Sequence, residues 1–209
     1  MGEVFKSNAE SGADVQVNKR PDQYQPLHDM LIIADSYSKA TLLLIGDFIR
    51  EKNDKKADVE IFPIFFSVNH AIELYLKVIN LALNILTGKE EKFTGAHDIR
   101  QIWNVVKTRV KAYEKDPERL NRFGEMATEL ENYVDELYER VDFNRGSKNS
   151  SEYTDFSKYE FDSAYNYHFY IEALKNVVVD LEALETIFRS ISSNLHSIAL
   201  DYEETAARA

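Results

Sequence analysis

The most constraining feature of this sequence is an apolar run, residues 65–80, that holds a histidine and a glutamate one helical turn apart. Apolar residues recur along and beyond it at steps of three and four, which is typical of one face of an α-helix; they are Phe65, Val68, Ile72, Leu76, Ile79, Leu83 and Leu86. Polar residues recur at the same steps; they are His70, Glu73, Lys77, Asn80 and Asn84. Further apolar residues flank both stripes. The pattern therefore predicts a central helix, opened by Pro63 and ended at Thr87–Gly88, with neighbours on several sides.

Composition narrows the fold and the function classes. A chain of 209 residues that is 44% hydrophobic can bury one substantial core, and its seven Gly and four Pro suit long helices. The absence of Cys excludes a disulfide scaffold, a thiolate zinc site and a cysteine nucleophile. The net charge of -11 argues against a broad electrostatic grip on nucleic acid. With no signal-peptide pattern and no uninterrupted membrane-length apolar run, we expect a soluble cytoplasmic protein that contacts no membrane.

The same periodicity predicts four more helices, and the fold class is therefore an all-α bundle of four to five helices. The additional helices span about residues 26–51, 99–110, 117–141 and 171–201. Residues 1–25 are predicted to be a flexible leader, 26–202 a single domain, and 203–209 a frayed C-terminus.

A long loop, residues 142–167, is predicted before the last helix. Its first half is rich in Asn, Gly and Ser, which do not sustain a helix, and its second half is crowded with Tyr and Phe. Aromatic rings require packing partners, so this loop is a candidate surface for a protein partner. A short strand or hairpin around Phe143 and Phe161 is a further expectation.

Two short motifs resemble the HEPN superfamily of helical bundles: residues 70–77, His-Ala-Ile-Glu-Leu-Tyr-Leu-Lys, and residues 95–99, Gly-Ala-His-Asp-Ile. The similarity is greatest to a bacterial branch in which an aromatic-Arg element precedes the last helix, and Phe143-Asn144-Arg145 stands in that place here. The resemblance implies a bundle, often dimeric, of the kind found in toxin–antitoxin and phage-defence systems. It also implies that active members are metal-independent ribonucleases, whose signature is an Arg and a His separated by four to six residues.

The polar residues of the two motifs are candidates for one binding or structural pocket. They are His70, Glu73, Lys77, His97 and Asp98, with Arg145 from the following loop. His70 and Glu73 lie one turn apart, as a proton-transfer or ligand-holding pair would; alternatively, Glu73 simply pairs with Lys77. Asp98 stands where a carboxylate caps a helix, which is its alternative role. His and carboxylates are acceptable metal ligands, but no spacing demands a metal, so neither a metal nor a cofactor is predicted.

Arg189 and His196 are the one Arg/His pair with the family's spacing, although Ser190 replaces the usual Asn or Asp after the Arg. Seven residues are almost two helical turns, so both lie on nearly the same face. In a ribonuclease the His would transfer protons and the Arg would stabilise charge on the phosphorane, with a homodimer joining two such pairs. The alternative is an ordinary exposed Arg and a surface His. Three functions follow as expectations: a nucleotide- or RNA-binding or regulatory module of a conflict system, an active ribonuclease, and a non-catalytic protein-interaction module.

Overall fold

The computed structural model describes residues 26–51, 54–89, 97–142 and 178–208, and every regular element in these ranges is a helix. The helices are α1 (Pro26–Glu51), α2 (Asp54–Leu86), α3 (Ile99–Tyr113), α4 (Pro117–Asp142) and α5 (Leu181–Ala207). The predicted all-α bundle of four to five helices is thereby confirmed. The leader, Phe143, Arg145, Phe161 and the rest of the aromatic loop lie outside the described residues.

The apolar helix predicted to be central, α2, is the centre of the bundle. It packs against α1, α3 and α5, while α4 packs mainly on α5. Its apolar stripe is buried almost completely, and Leu76, Ile72 and Ile79 have no exposed surface. Burial of a large apolar side chain contributes about 1.5–3 kcal/mol, so this one helix supplies much of the stabilisation of the core.

The segment 61–86 of α2 is long and apolar enough to cross a membrane, and it is the one such helix among the described residues. In its most apolar window 56% of the residues are buried inside the bundle. Buried Asn69 and Asn84 also lie along it, and their amide oxygens accept hydrogen bonds from Tyr133 on α4 and Arg109 on α3. This segment is thus the core helix of a soluble bundle.

The ends of the helices follow local chemistry. Asp98 caps α3, because its carboxylate accepts a hydrogen bond from the backbone N–H of Gln101 at 3.0 Å. Pro117 begins α4 at the position where a missing N–H costs nothing. Gly88 ends α2 with a φ of 63°, a left-handed conformation that favours glycine. These three boundaries agree with the sequence-based expectations.

Pro63 does not open the central helix, and in this respect the prediction was wrong. The helix begins nine residues earlier, at Asp54, and Pro63 lies inside it with an exposed ring. Ile61 and Ile64 on either side of the proline both pack against the core. Tertiary packing of these side chains outweighs the one backbone hydrogen bond that proline removes.

Both ends of α5 also differ from the expectation. The helix begins at Leu181 rather than near residue 171, because the Asp180 carboxylate accepts the N–H of Ala183 and caps it there. Val178, an apolar residue within the predicted helix 171–201, precedes the observed helix and is 86% exposed. At the other end the helix continues to Ala207, past the expected frayed start at residue 203, because Tyr202 and Glu203 are buried against the bundle.

Candidate functional site on the outer face of the last helix

Of the six residues predicted to share a pocket, Glu73 is in contact with Lys77 and with His97. The Glu73 carboxylate is buried and accepts from Lys77 Nζ at 2.6 Å. The same oxygen lies 3.0 Å from Nδ1 of His97, whose side chain is 64% exposed. Glu73 therefore ties the chain just before α3 to the central helix. This geometry is that of a charged structural pair with a histidine at its solvent edge.

Asp98 and His70 have other surroundings. Besides capping α3, Asp98 accepts a hydrogen bond from the hydroxyl of buried Tyr138 at 2.7 Å. Burial and this hydrogen bond raise the pKa of Tyr138 well above its ordinary value. The His70 ring stacks on Phe66 and meets the edge of the Tyr37 ring, with centroids 4.5 Å apart in the second contact. Arg145 lies outside the described residues. No group of three or more metal-ligating side chains occurs in the described ranges.

His196 is held by a carboxylate and a tyrosine from two other helices. Its Nδ1 lies 2.8 Å from Oδ1 of Asp35 on α1, and the Tyr75 hydroxyl on α2 donates to the same oxygen at 2.7 Å. We call these three residues the His196 cluster. Tyr75 is 2% exposed, and burial followed by its bond to Asp35 raises its pKa above the ordinary range. The cluster joins α1, α2 and α5 at one point.

The cluster fixes the orientation of the imidazole ring. A carboxylate acceptor at Nδ1 favours the tautomer, or the imidazolium, that carries a proton there. Nε2 is then available to bind a ligand or to transfer a proton, since no group among the described residues bonds to it. The His196 side chain is 40% exposed, so a ligand can reach it. A carboxylate that orients a histidine in this way also stabilises the imidazolium formed when the ring takes up a proton.

A second histidine–carboxylate contact repeats this link between α1 and α5. His28 Nδ1 on α1 lies 3.6 Å from an oxygen of Glu203 on α5. His28 and Asp35 are seven residues apart, as are His196 and Glu203, so the two antiparallel helices are joined at two successive levels. His28 and Glu203 are only within ion-pair distance, and no tyrosine in the described part of the chain donates to Glu203 as Tyr75 does to Asp35. The His196 cluster is therefore the more closely built of the two.

Arg189 lies on the same face of α5 as His196 but does not touch it. Its side chain is 61% exposed and bonds to Glu185 one turn earlier, at 2.6 Å. A rise of 1.5 Å per residue places its backbone about 10 Å along the helix from that of His196. Between them, Ser190, Ser193 and Asn194 line an open depression beside Arg189. The two candidates thus frame a polar surface, which we call the α5 outer face: Arg189, Ser193 and His196.

A third polar cluster, which sequence reasoning missed, lies at the other side of α5. Buried Glu114, at the end of α3, accepts two hydrogen bonds from Arg119, both at 3.0 Å, and one from the hydroxyl of Tyr202 at 2.9 Å. Arg119 also donates to Asp201 at 2.6 Å. We call Glu114, Arg119, Asp201 and Tyr202 the Arg119 cluster. Its hydrogen bonds to Glu114 and Asp201 raise the pKa of Arg119 further above the ordinary range.

The sequence carried only weak signals of these clusters. Asp35 is a lone carboxylate beside the buried positions Ala34 and Ser38, and Tyr75 borders the apolar stripe of α2. Each residue indicates that one edge of its helix meets a polar neighbour, but the sequence does not identify that neighbour. The partner of Asp35, His196, is 161 residues away along the chain. Comparison with known proteins adds no assignment: no protein-family model, curated protein or solved structure matches this chain.

Proposed function

We propose that this chain is a HEPN-like helical-bundle protein of a bacterial or phage conflict system, cytoplasmic and homodimeric, that binds RNA or a nucleotide through the α5 outer face. The observation that carries the proposal is the His196 cluster. It presents an oriented, solvent-accessible imidazole on the same helix face as an exposed guanidinium. Both groups donate hydrogen bonds to phosphate oxygens when charged.

Arg189 is the residue that would contribute most of the affinity. Its guanidinium is exposed, and the Glu185 carboxylate that it now contacts is a surface partner of the kind that contributes little to stability. A phosphate can therefore displace Glu185 at small cost. Because the protein carries a net charge of -11, such binding must be local rather than a general attraction.

The binding test uses fluorescence anisotropy with the purified full-length chain and a labelled single-stranded RNA at fixed, stated salt. Arg189→Ala should weaken binding about tenfold, which corresponds to about 1.4 kcal/mol. Arg208→Ala is the matched control, because Arg208 forms the same kind of exposed pair with the residue four positions earlier, Glu204, at 2.9 Å. Equal affinities for the two variants, or no saturable binding by the unmodified chain, would contradict the proposal.

Metal-independent RNA cleavage is the second candidate, and the orientation of His196 by Asp35 favours it. With Nδ1 bonded to the carboxylate, Nε2 is the nitrogen that would accept the proton of a ribose 2′-hydroxyl. Arg189 would stabilise charge on the phosphorane. Since the two residues are about 10 Å apart along one helix, a second copy of the chain would complete the site.

Cleavage can be separated from binding. In buffer containing EDTA, His196→Ala should reduce the rate of RNA cleavage about 100-fold or more while binding changes little. Asp35→Asn should reduce it less, since the amide still accepts at Oδ1. Absence of cleavage by the unmodified chain, measured on denaturing gels at concentrations where light scattering gives a dimer, would remove this candidate and leave the binding proposal intact.

A protein-interaction module is the third candidate, and the outward side of α1 is the observation that favours it. Four large apolar side chains are exposed there: Ile32, Ile33, Tyr37 and Leu43, with Leu43 73% exposed. Exposed apolar groups that cluster on one surface are typical of protein contacts. The aromatic loop that the sequence nominated for this role lies outside the described residues.

A further inference from the structure

We propose that a groove between α4 and α5 is a binding site for a free α-amino acid with a branched aliphatic side chain. The groove contains a cavity of about 120 Å³, open to solvent on one side, next to the Arg119 cluster. Its position differs from the α5 outer face, and the inference does not depend on the proposed function.

One part of the cavity lining is apolar. Phe123 and Met126 from α4 and Ile198 from α5 line it, and all three belong to the hydrophobic core or pack against it. A cavity of about 150 Å³ lined by such side chains holds a benzene molecule. A volume of 120 Å³ therefore suits a smaller apolar group, such as the side chain of leucine or valine, better than an aromatic ring.

Positively and negatively charged side chains line the same cavity. Arg122 on α4 lines it and forms no ion pair with any residue that the structure describes. Asp201 on α5 lines it too, and among the residues that the structure describes only its Oδ2 accepts a side-chain hydrogen bond, from Arg119. Arg119 is shared between Asp201 and Glu114, so its single positive charge faces two carboxylates. Among the described residues, the lining thus offers one cation without an ion-pair partner and one carboxylate with a free oxygen, beside the apolar side chains of the cavity.

This combination matches a zwitterion rather than a simple anion or cation. A ligand carboxylate would pair with the guanidinium of Arg122, and a ligand ammonium with Oδ1 of Asp201. A lone carboxylate would also meet the excess negative charge of the Glu114–Arg119–Asp201 group, and a lone ammonium would meet Arg122. An α-amino acid carries its ammonium and its carboxylate on one carbon atom, which also bears the apolar side chain. The Arg119 cluster holds the Asp201 side of the site in place before the ligand arrives.

The test follows backbone and methyl NMR signals of the full-length chain during titration with L-leucine. Signals of Phe123, Met126 and Ile198 should shift and saturate, with half-saturation at or below about 1 mM. Three analogues each lack one recognised feature: leucinamide has no carboxylate, N-acetyl-leucine has no ammonium, and glycine has no side chain. Each should bind at least tenfold more weakly than L-leucine.

Arg122→Gln should weaken L-leucine binding at least tenfold, whereas Arg208→Gln should leave it unchanged, because Arg208 is an exposed arginine at the C-cap of α5 that does not line the cavity. Both arginines are exposed, so neither change should prevent folding, which circular dichroism verifies. The proposal is overturned if L-leucine produces no saturable shifts up to ten times the expected concentration. It is also overturned if N-acetyl-leucine or leucinamide binds as tightly as L-leucine, or if Arg122→Gln binds like the unmodified chain.

Discussion

The His196 cluster and the Arg119 cluster are built on the same plan at two sides of α5. In each, a buried tyrosine donates a hydrogen bond to a carboxylate that also accepts from a basic side chain: Tyr75 to Asp35 at 2.7 Å, and Tyr202 to Glu114 at 2.9 Å. The basic partner is the difference. Arg119 carries a permanent positive charge and only donates hydrogen bonds, whereas the imidazole of His196 has two nitrogens that can donate or accept.

The two clusters also differ in how deeply the carboxylate is buried and in how many hydrogen bonds it accepts. Glu114 is 7% exposed and accepts three hydrogen bonds from protein groups. The Asp35 side chain is 25% exposed and accepts two, both at one oxygen. A fully bonded, buried carboxylate with a permanent cation fixes the junction of α3, α4 and α5. A partly exposed carboxylate with a histidine holds the ring in position and leaves its second nitrogen accessible, which is the arrangement that proton transfer requires.

The largest expected effect on stability is that of raising the pH, which should ionise the buried tyrosine present in each cluster. The pKa values of Tyr75 and Tyr202 are raised by burial and then by their carboxylate partners. A folded-state pKa above the unfolded value of about 10 gives stability that is complete below pH 10 and lost as pH rises above it. The loss per buried tyrosine approaches about 1.4 kcal/mol for each pH unit.

The measurement is an alkaline titration that follows tyrosinate absorbance and helicity together. The ionisation of Tyr75 and Tyr202 should coincide with the loss of helix, and Tyr75→Phe and Tyr202→Phe should each remove part of that coincident step. Full ionisation of both residues with the helices intact would contradict the burial described above.

Glu114→Ala should be the most damaging single substitution in either cluster, at about 3 kcal/mol of unfolding free energy. It leaves the buried Tyr202 hydroxyl without an acceptor, which costs about 1–3 kcal/mol, and it removes both hydrogen bonds to Arg119. Urea denaturation monitored by circular dichroism measures the change. Glu114→Gln, which keeps an acceptor, is the matched control and should cost less; a cost below about 1 kcal/mol for the alanine variant would show that the cluster does not hold the helices together.

Asp35→Ala should cost less, about 1–2 kcal/mol, because Asp35 is partly exposed and accepts fewer hydrogen bonds. The cost comes mainly from the Tyr75 hydroxyl, since the exposed edge of His196 can bond to water. Asp35→Asn should cost under about 1 kcal/mol, because the amide oxygen still accepts from Tyr75. If Asp35→Ala and Glu114→Ala had equal costs in the same urea experiment, the stability difference expected between the two clusters would be absent.

The sequence predicted more of the fold than of the candidate site. Periodicity and capping residues located the core stripe of α2, the Asp98 cap and the Gly88 stop, because these depend on neighbours within a few positions. Pro63 and the start of α5 were placed wrongly. At Pro63 packing of Ile61 and Ile64 decides the outcome, and at α5 a carboxylate at position 180 caps the helix.

The partners of the site residues could not be derived from local pattern. His196 was nominated through its spacing from Arg189, yet its actual partners are Asp35 and Tyr75, which belong to other helices. Glu73 illustrates the opposite case: its bond to Lys77 is an i, i+4 pair that sequence can anticipate. Only the three-dimensional packing of α1 on α5 brings His196 to a carboxylate, and such packing depends on the whole core rather than on any one helix.

The smallest expected effect is that of Arg189→Ala on stability, and its smallness makes the functional test interpretable. Arg189 and Arg208 each form an exposed i, i+4 pair on α5, with Glu185 and Glu204. Such pairs contribute about 0.3–0.5 kcal/mol, so both alanine variants should unfold within about 0.5 kcal/mol of the unmodified chain in urea. A loss of RNA binding seen only for Arg189→Ala then reflects the α5 outer face and not the fold. If Arg189→Ala instead destabilised the chain by more than about 1 kcal/mol while Arg208→Ala did not, Arg189 would have a structural role, and its use as a ligand-binding residue would have to be withdrawn.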